Sequence, residues 1–303
     1  MDSIAPTTAA VVVVYRPAAD PTTLINALRP QVALTLVADN SENGHPTLAA
    51  WPANSNLVLL HTRNIGGLAG AYNRAVAHVQ THHPAITHLV FLDEDSDATG
   101  LGRLLQDTEV TALLQDPNTA AVAPAYAVRA TGLRGRYVQL GRWRLRYLPR
   151  IFSGMRAVAF VINSMSVWRM QALRRIGPFN EGLAIDHVDT EYCLRARAAG
   201  LRVHVQGSHE FLHSIGERRR FTFLGREMQA GGHPPARRYL IGRNTAWLAR
   251  RYLWREPAFA FLCLTRLAYE AVGISLAEER RAAKLWALLR GALAGLFLKL
   301  PQP

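Results

Sequence analysis

The sequence predicts an α/β fold: a Rossmann-like, mostly parallel sheet flanked by helices, with a helical C-terminal extension. Three observations predict it. Short, largely apolar runs at 9–15, 32–38, 57–61, 89–92 and 120–123 read as strands buried on both faces, the habit of parallel sheets. Helical patterns over 22–28, 68–80 and 101–114 separate most of them, so the connections read as crossovers. From about Pro235 the strands cease, and Leu, Ala and Phe with interspersed Arg take over.

The first strand, A-A-V-V-V-V-Y, ends at Tyr15, and Asp20 or Thr22 can cap the helix that follows. The second ends in Asp39-Asn40-Ser41, and the third in Arg63-Asn64-Ile65-Gly66-Gly67. That glycine pair opens a helix, where backbone N–H groups can meet phosphate or simply turn tightly. The fourth strand, Leu89–Leu92, stops in Asp93, Glu94, Asp95 and Asp97. Like charges so close need solvent, an Arg or a cation. Hard oxygen ligands at a strand's carboxyl end suit Mg²⁺ or Mn²⁺ with substrate phosphates; the alternative is a solvated acidic turn.

From Pro117 to Asn180 there is no acidic residue, and eight Arg between 129 and 156 interleave with aromatics. This reads as a β-rich excursion beside the site. Phe160–Trp168 reads as a buried strand interrupted at Asn163-Ser164. Asp186-His187-Val188-Asp189 enters a helix ending at Ala199 with Gly200 as its cap. Asp186 and Asp189 are there either a capping pair or a general base and its neighbour. Arg202–Val205 is a strand, and His213 falls in a loop after it. Neither Pro257–Leu276 nor Leu285–Leu300 offers eighteen clean apolar residues. Both read as amphipathic helices on the core or at a membrane interface.

Composition narrows the function. At 303 residues with net charge +13, the chain is a globular protein with anionic partners. Cys193 and Cys263 stand far apart, so no disulfide framework or zinc site is expected. Residues 1–10 carry no basic, apolar leader, which favours the cytoplasm. The first strand runs into Tyr15-Arg16-Pro17 rather than a G-x-G-x-x-G turn, and no G-x-x-x-x-G-K-[ST] loop is present.

In their joint order these segments resemble the inverting GT-A glycosyltransferases of family 2, in particular bacterial rhamnosyltransferases. The resemblance rests on the first strand, D-N-S at 39–41, R-N-x-G-G at 63–67 and L-D-E-D-S at 92–96. I-D-H-V-D-T-E-Y at 185–192, L-H-S-I-G around His213 and R-R-Y-L-I-G-R-N at 237–244 complete it. It spans roughly residues 9–250, and implies a GT-A domain over 1–235. Residues 1–100 would be the nucleotide-binding half and 101–235 the acceptor-binding half, with a helical region at 236–303. The implied donor is a nucleoside diphosphate sugar, dTDP-L-rhamnose, and the acceptor a lipid or a glycan. By the same resemblance, Tyr15, Asp39, Asn64, Gly67, Asp93, Arg243 and Asn244 contact the nucleotide. Asp93, Asp95 and His213 hold Mg²⁺ or Mn²⁺, and Asp189 is the base. Where the family has Gln, Glu94 adds a charge that faces either metal or solvent. The implied location is cytoplasmic, with peripheral contact at the inner face of the membrane, and no nucleic acid is expected. Three alternatives stay open: transfer of another sugar such as galactofuranose, nucleotidyl transfer, and a non-catalytic membrane- or nucleic-acid-binding protein.

Overall fold

A computed structural model describes residues 3–17, 19–49, 56–214, 219–223 and 225–300. The first half alternates β1 (Thr8–Val14), α1 (Thr22–Leu28), β2 (Leu34–Asp39), α2 (Pro46–Ala49), β3 (Leu57–His61), α3 (Gly67–His82) and β4 (His88–Asp93). Then come α4 (Leu101–Gln106), α5 (Thr108–Gln115), β5 (Thr119–Val128), and the short β6 (Val138–Leu140), β7 (Leu145–Tyr147), β8 (Met155–Val158) and β9 (Val167–Arg169). The rest comprises α6 (Met170–Ile176), α7 (Val188–Ala198), β10 (Arg202–His213), β11 (Arg219–Phe223) and β12 (Arg226–Ala230). It ends in α8 (Pro235–Tyr252), α9 (Pro257–Ala277) and α10 (Arg281–Phe297).

Among the described residues the main sheet runs β3-β2-β1-β4-β9-β5-β10-β8. β1 to β4 are mutually parallel, with Val14 beside Asp39, Asp39 beside His61 and Val13 beside Asp93. Their carboxyl ends therefore form one row, the edge where such sheets gather ligands. β9 lies antiparallel between β4 and β5. Every residue of β1 and β2 is buried, because helices cover both faces. The covering helices supply one large apolar cluster on each side of the sheet.

Four expectations need correction. The helix expected over 101–114 is two, because Asp107 adopts an extended backbone and accepts the N–H groups of Glu109 and Val110 to cap a new one. Phe160–Trp168 is not one strand: Met165 has φ +63°, and only Val167–Arg169 pairs in the sheet. β10 is longer than expected and carries His213, which lies beside Val128 of β5 rather than in a loop. Asp186 does not cap α7, since His187 takes that position in the left-handed region without a side-chain cap.

Candidate active site

Three segments meet at the carboxyl row: the acidic turn after β4, the 163–166 bend, and the start of α7. The bend is stitched to β4 by Met165 N–H donating to Phe91 O (2.8 Å). Ser96 and Ser164 share a hydroxyl hydrogen bond of 2.7 Å, and Ser96 Oγ accepts the N–H of Asp93 at 2.9 Å. The polar interruption thus holds the acidic turn in place.

Asp93 and Asp189 share one field. Burial pushes the Asp93 carboxyl up to about 7, reinforced by Asp95, Asp189 and Glu94, while a Ser164 hydrogen bond opposes it. Burial likewise raises Asp189 to about 6; the Thr190 N–H at 2.7 Å opposes the rise and the Asp186 charge adds to it. Asp93 and Asp189 are both half-buried. The buried phenol of Tyr72 is also raised, by burial first and then by both Asp93 and Asp189, so it lies within the field of each. Tyr72 is fixed from below by Phe91 and Phe179, with ring centroids at 4.6 and 5.2 Å.

The loop that delivers Asp189 is held from α8. Ala184, Asp186 and His187 all have positive φ, which side-chain-bearing residues adopt only when their surroundings enforce it. The enforcing contacts are specific. Asn244 Nδ2 donates to the carbonyls of Leu183 (3.0 Å), Ile185 (2.8 Å) and Asp186 (3.1 Å). Arg243 donates to Gly182 O (2.8 Å) and to Asn244. Arg237 makes a two-pronged pair with Asp186, both contacts at 3.1 Å, and His187 meets Thr245 at 2.8 Å. On the other side Leu68 N–H donates to Ala184 O at 2.8 Å. A Cβ on Gly67 would lie 2.5 Å from that same oxygen, so the glycine there serves a backbone-to-backbone approach.

The expected nucleotide contacts divide. Tyr15 is exposed and Asn64 half-buried at the carboxyl row, where Asn64 accepts from Asn40 Nδ2 at 3.1 Å. Asp39, expected on the base, is fully buried, and its oxygens take the N–H groups of Ser41 (3.1 Å) and His45 (2.6 Å). Asn244, expected at the diphosphate, is fully buried and committed to the loop. Glu94, half-buried, accepts the Tyr15 N–H at 2.6 Å and so ties the turn after β4 to the end of β1.

Among the described residues no three His, Cys, Asp or Glu side chains assemble as a ready metal set. His213 lies on β10, its ring packed at 5.9 Å from both Tyr126 and Phe211. Two carboxylates nevertheless fit a Mg²⁺ or Mn²⁺ ion, which is commonly held by one or two with substrate phosphates completing the shell. Asp93, raised by burial and then by three neighbouring carboxylates, has the charge imbalance that a cation would relieve. Nearby, Asn163 Oδ1 is buried without a partner among the described residues, a further hard oxygen at this rim. Of the residues that support the acids, Asn163 and Ser164 left a trace in the sequence as polar letters inside an apolar run and Ser96 as the last letter of L-D-E-D-S; Tyr72 left none.

No family model matches the chain. It is 24% identical over 250 residues to the dTDP-rhamnosyl transferase RfbF of Shigella flexneri, covering 80% of this chain and 79% of that one. It superposes on the structure of GalNAc-T7 with UDP, GalNAc and Mn²⁺ with a TM-score of 0.54 at 10% identity. That match covers 91% of this chain and 57% of the other, so the chain spans just over half of that protein's length. Against S. aureus TarS the TM-score is 0.45 at 14% identity, covering 95% of this chain and 72% of that one. A parallel sheet with carboxylates at its ligand-gathering edge and the superposition show a GT-A-type fold, and over four-fifths of its length the chain is similar to a rhamnosyltransferase.

Proposed function

We propose that the protein transfers L-rhamnose from dTDP-L-rhamnose to a hydroxyl of a lipid or glycan acceptor, with inversion at the anomeric carbon. The sugar and its nucleotide come from the RfbF likeness. The observation that carries the chemistry is the shared field of Asp93 and Asp189, residues 96 positions apart in sequence.

Asp189 accepts the proton of the acceptor hydroxyl as that oxygen attacks the anomeric carbon. The bond to the diphosphate breaks on the opposite face, and the diphosphate leaves with the bonding electrons. A carboxyl at about 6 suits this proton transfer, being mostly ionised at neutral pH yet more basic than an ordinary Asp. Asn244, Arg237 and Thr245 act through the loop, fixing where that carboxylate points. Asp93 and Asp95 would hold the Mg²⁺ or Mn²⁺, whose contribution is to neutralise charge on the departing diphosphate. Ser96 and Ser164 keep the Asp93 turn in register for that duty.

The test is release of dTDP from dTDP-L-rhamnose, measured with Mg²⁺, with Mn²⁺ and with EDTA. Activity that depends on the divalent ion and vanishes in Asp189→Asn supports the reading. Near-normal turnover by Asp189→Asn sinks the base assignment, and full activity in EDTA sinks the metal. Release of another nucleotide, from another sugar nucleotide, corrects the donor alone.

A further inference from the structure

α10 is packed inside out. Its small residues face α8: a Cβ at Gly291 or Gly295 would collide with the backbone of Tyr239 or Arg243, and one at Gly242 with Leu288. Its large apolar residues face outward. Trp286, Leu289, Leu293 and Leu296 recur at helical spacing, and all are exposed, as is Phe297 at 82%. α9 does the same with Phe261, Leu264 and Leu276, while Ile274 and Cys263 on its other side are buried. Trp254, between α8 and α9, is 82% exposed. Outward apolar stripes of this kind are uncommon on a protein that meets only water.

The same region is strongly basic. Residues 236–300 hold twelve Arg and Lys against four Glu, a net +8 out of the chain's +13. Where α10 ends, a cavity of about 340 Å³ opens, lined by Trp247, Arg250, Arg251, Leu298, Lys299 and Leu300. Among the described residues its wall holds three cations, an indole and no carboxylate.

We propose that α9 and α10 form a docking face for an anionic lipid bilayer, with the Arg250–Arg251–Lys299 cavity taking a lipid headgroup phosphate. Outward Trp, Leu and Phe beside Arg and Lys is the composition of helices that lie in a membrane interface. Charge commits the face to anionic lipid rather than a second copy of the chain, which would bring two net-positive regions together. By length and composition α9 could cross a membrane. Its inner side argues against a span: Glu270 pairs there with buried Arg238, and Tyr269 is hydrogen-bonded in both directions to the Gln229 backbone of β12 (2.8 and 2.9 Å). Lying flat keeps those contacts and buries only the outward stripes. The inference rests on this surface and not on the transfer reaction.

The test is sedimentation of the full chain with vesicles, without nucleotide, so that its failure leaves the transfer reading untouched. The chain is expected to bind vesicles containing phosphatidylglycerol and to bind pure phosphatidylcholine at least about tenfold more weakly. W286E/L293E should lose roughly a hundredfold in binding. R250Q/R251Q should lose about fivefold per charge, roughly 25-fold in all. Equal binding to neutral vesicles, or unchanged binding by W286E/L293E, overturns the proposal. A chain that ignores vesicles but forms a dimer split by W286E/L293E also overturns it, and assigns the face to a second copy. If W286E/L293E does not fold, quenching of the unaltered protein's Trp fluorescence by brominated phosphatidylglycerol decides: quenching supports the proposal and its absence overturns it.

Discussion

Replacing Asp189 by Asn should abolish transfer and at the same time stabilise the fold. Burial and the Asp186 charge outweigh the Thr190 N–H and lift the Asp189 carboxyl from 3.8 to about 6. That rise of about two pH units corresponds to roughly 3 kcal/mol at about 1.36 kcal/mol per unit. Well below pH 4 the folded and unfolded chains both hold the proton, and the group is silent. Between about pH 4 and 6 only the folded chain holds it, so stability falls as pH rises. Above about pH 6 both have released it, and the full penalty of a crowded, ionised carboxylate stands. Partial solvent contact screens this, leaving roughly 1–3 kcal/mol. Asn keeps an acceptor for the Thr190 N–H but carries no charge. At about 2–4 °C per kcal/mol for a chain of this size, the variant should melt roughly 3–10 °C higher at pH 8. The assay is calorimetry across pH 4 to 8 in EDTA, which removes any cation that would offset the charge. Equal melting temperatures at pH 8, or a gap as wide at pH 4, would refute the reasoning.

The rate–pH profile should rise through a limb near pH 6 to 7, where Asp93 and Asp189 titrate as a coupled pair; a flat profile from pH 5 to 8 would count against it. Asn244→Leu strands three loop carbonyls, so turnover should fall on the order of 10- to 100-fold, measured as kcat with donor KM little changed. Gly67→Ala forces a Cβ against Ala184 O at a φ of +62° and should cost about 1–3 kcal/mol in chemical denaturation. Arg238→Met leaves buried Glu270 and Glu278 without their shared cation and should cost roughly 3–5 kcal/mol. Making both glutamates Leu and the buried Lys284 that pairs with Glu278 Met as well should recover most of that loss; if Arg238→Met alone is neutral, the ion set is not what holds α8 to α9.

The parallel half of the fold was legible because its signals are local. Apolar runs such as Val11–Val14 and Leu89–Leu92 are buried on both faces and stop in turn residues, and the structure reproduces them to within a residue or two. What failed depended on single backbone conformations. Asp107 sits among good helix formers, and nothing in its neighbours announces that it will cap a second helix. Met165 is an apolar letter in an apolar run, but its left-handed backbone turns the chain back and frees Asn163 and Ser164 for the acidic turn. The site was legible as a set of acids and glycines, yet their duties were not. A polar side chain reads alike whether it faces a ligand or holds a loop, and only burial separates the two. Asp39 and Asn244 are both fully buried, whereas Tyr15 is open.

α8 touches the base loop along one flank, through Arg237, Asn244 and Thr245, and receives α10 along the other, through Gly242. Such a helix is a stiff lever, too short to bend away a displacement applied at one side. Any force that seats or lifts the C-terminal pair is therefore delivered to the loop that carries Asp189. Deleting that pair would not trim a tail; it would unseat the proposed proton acceptor, far upstream of the cut.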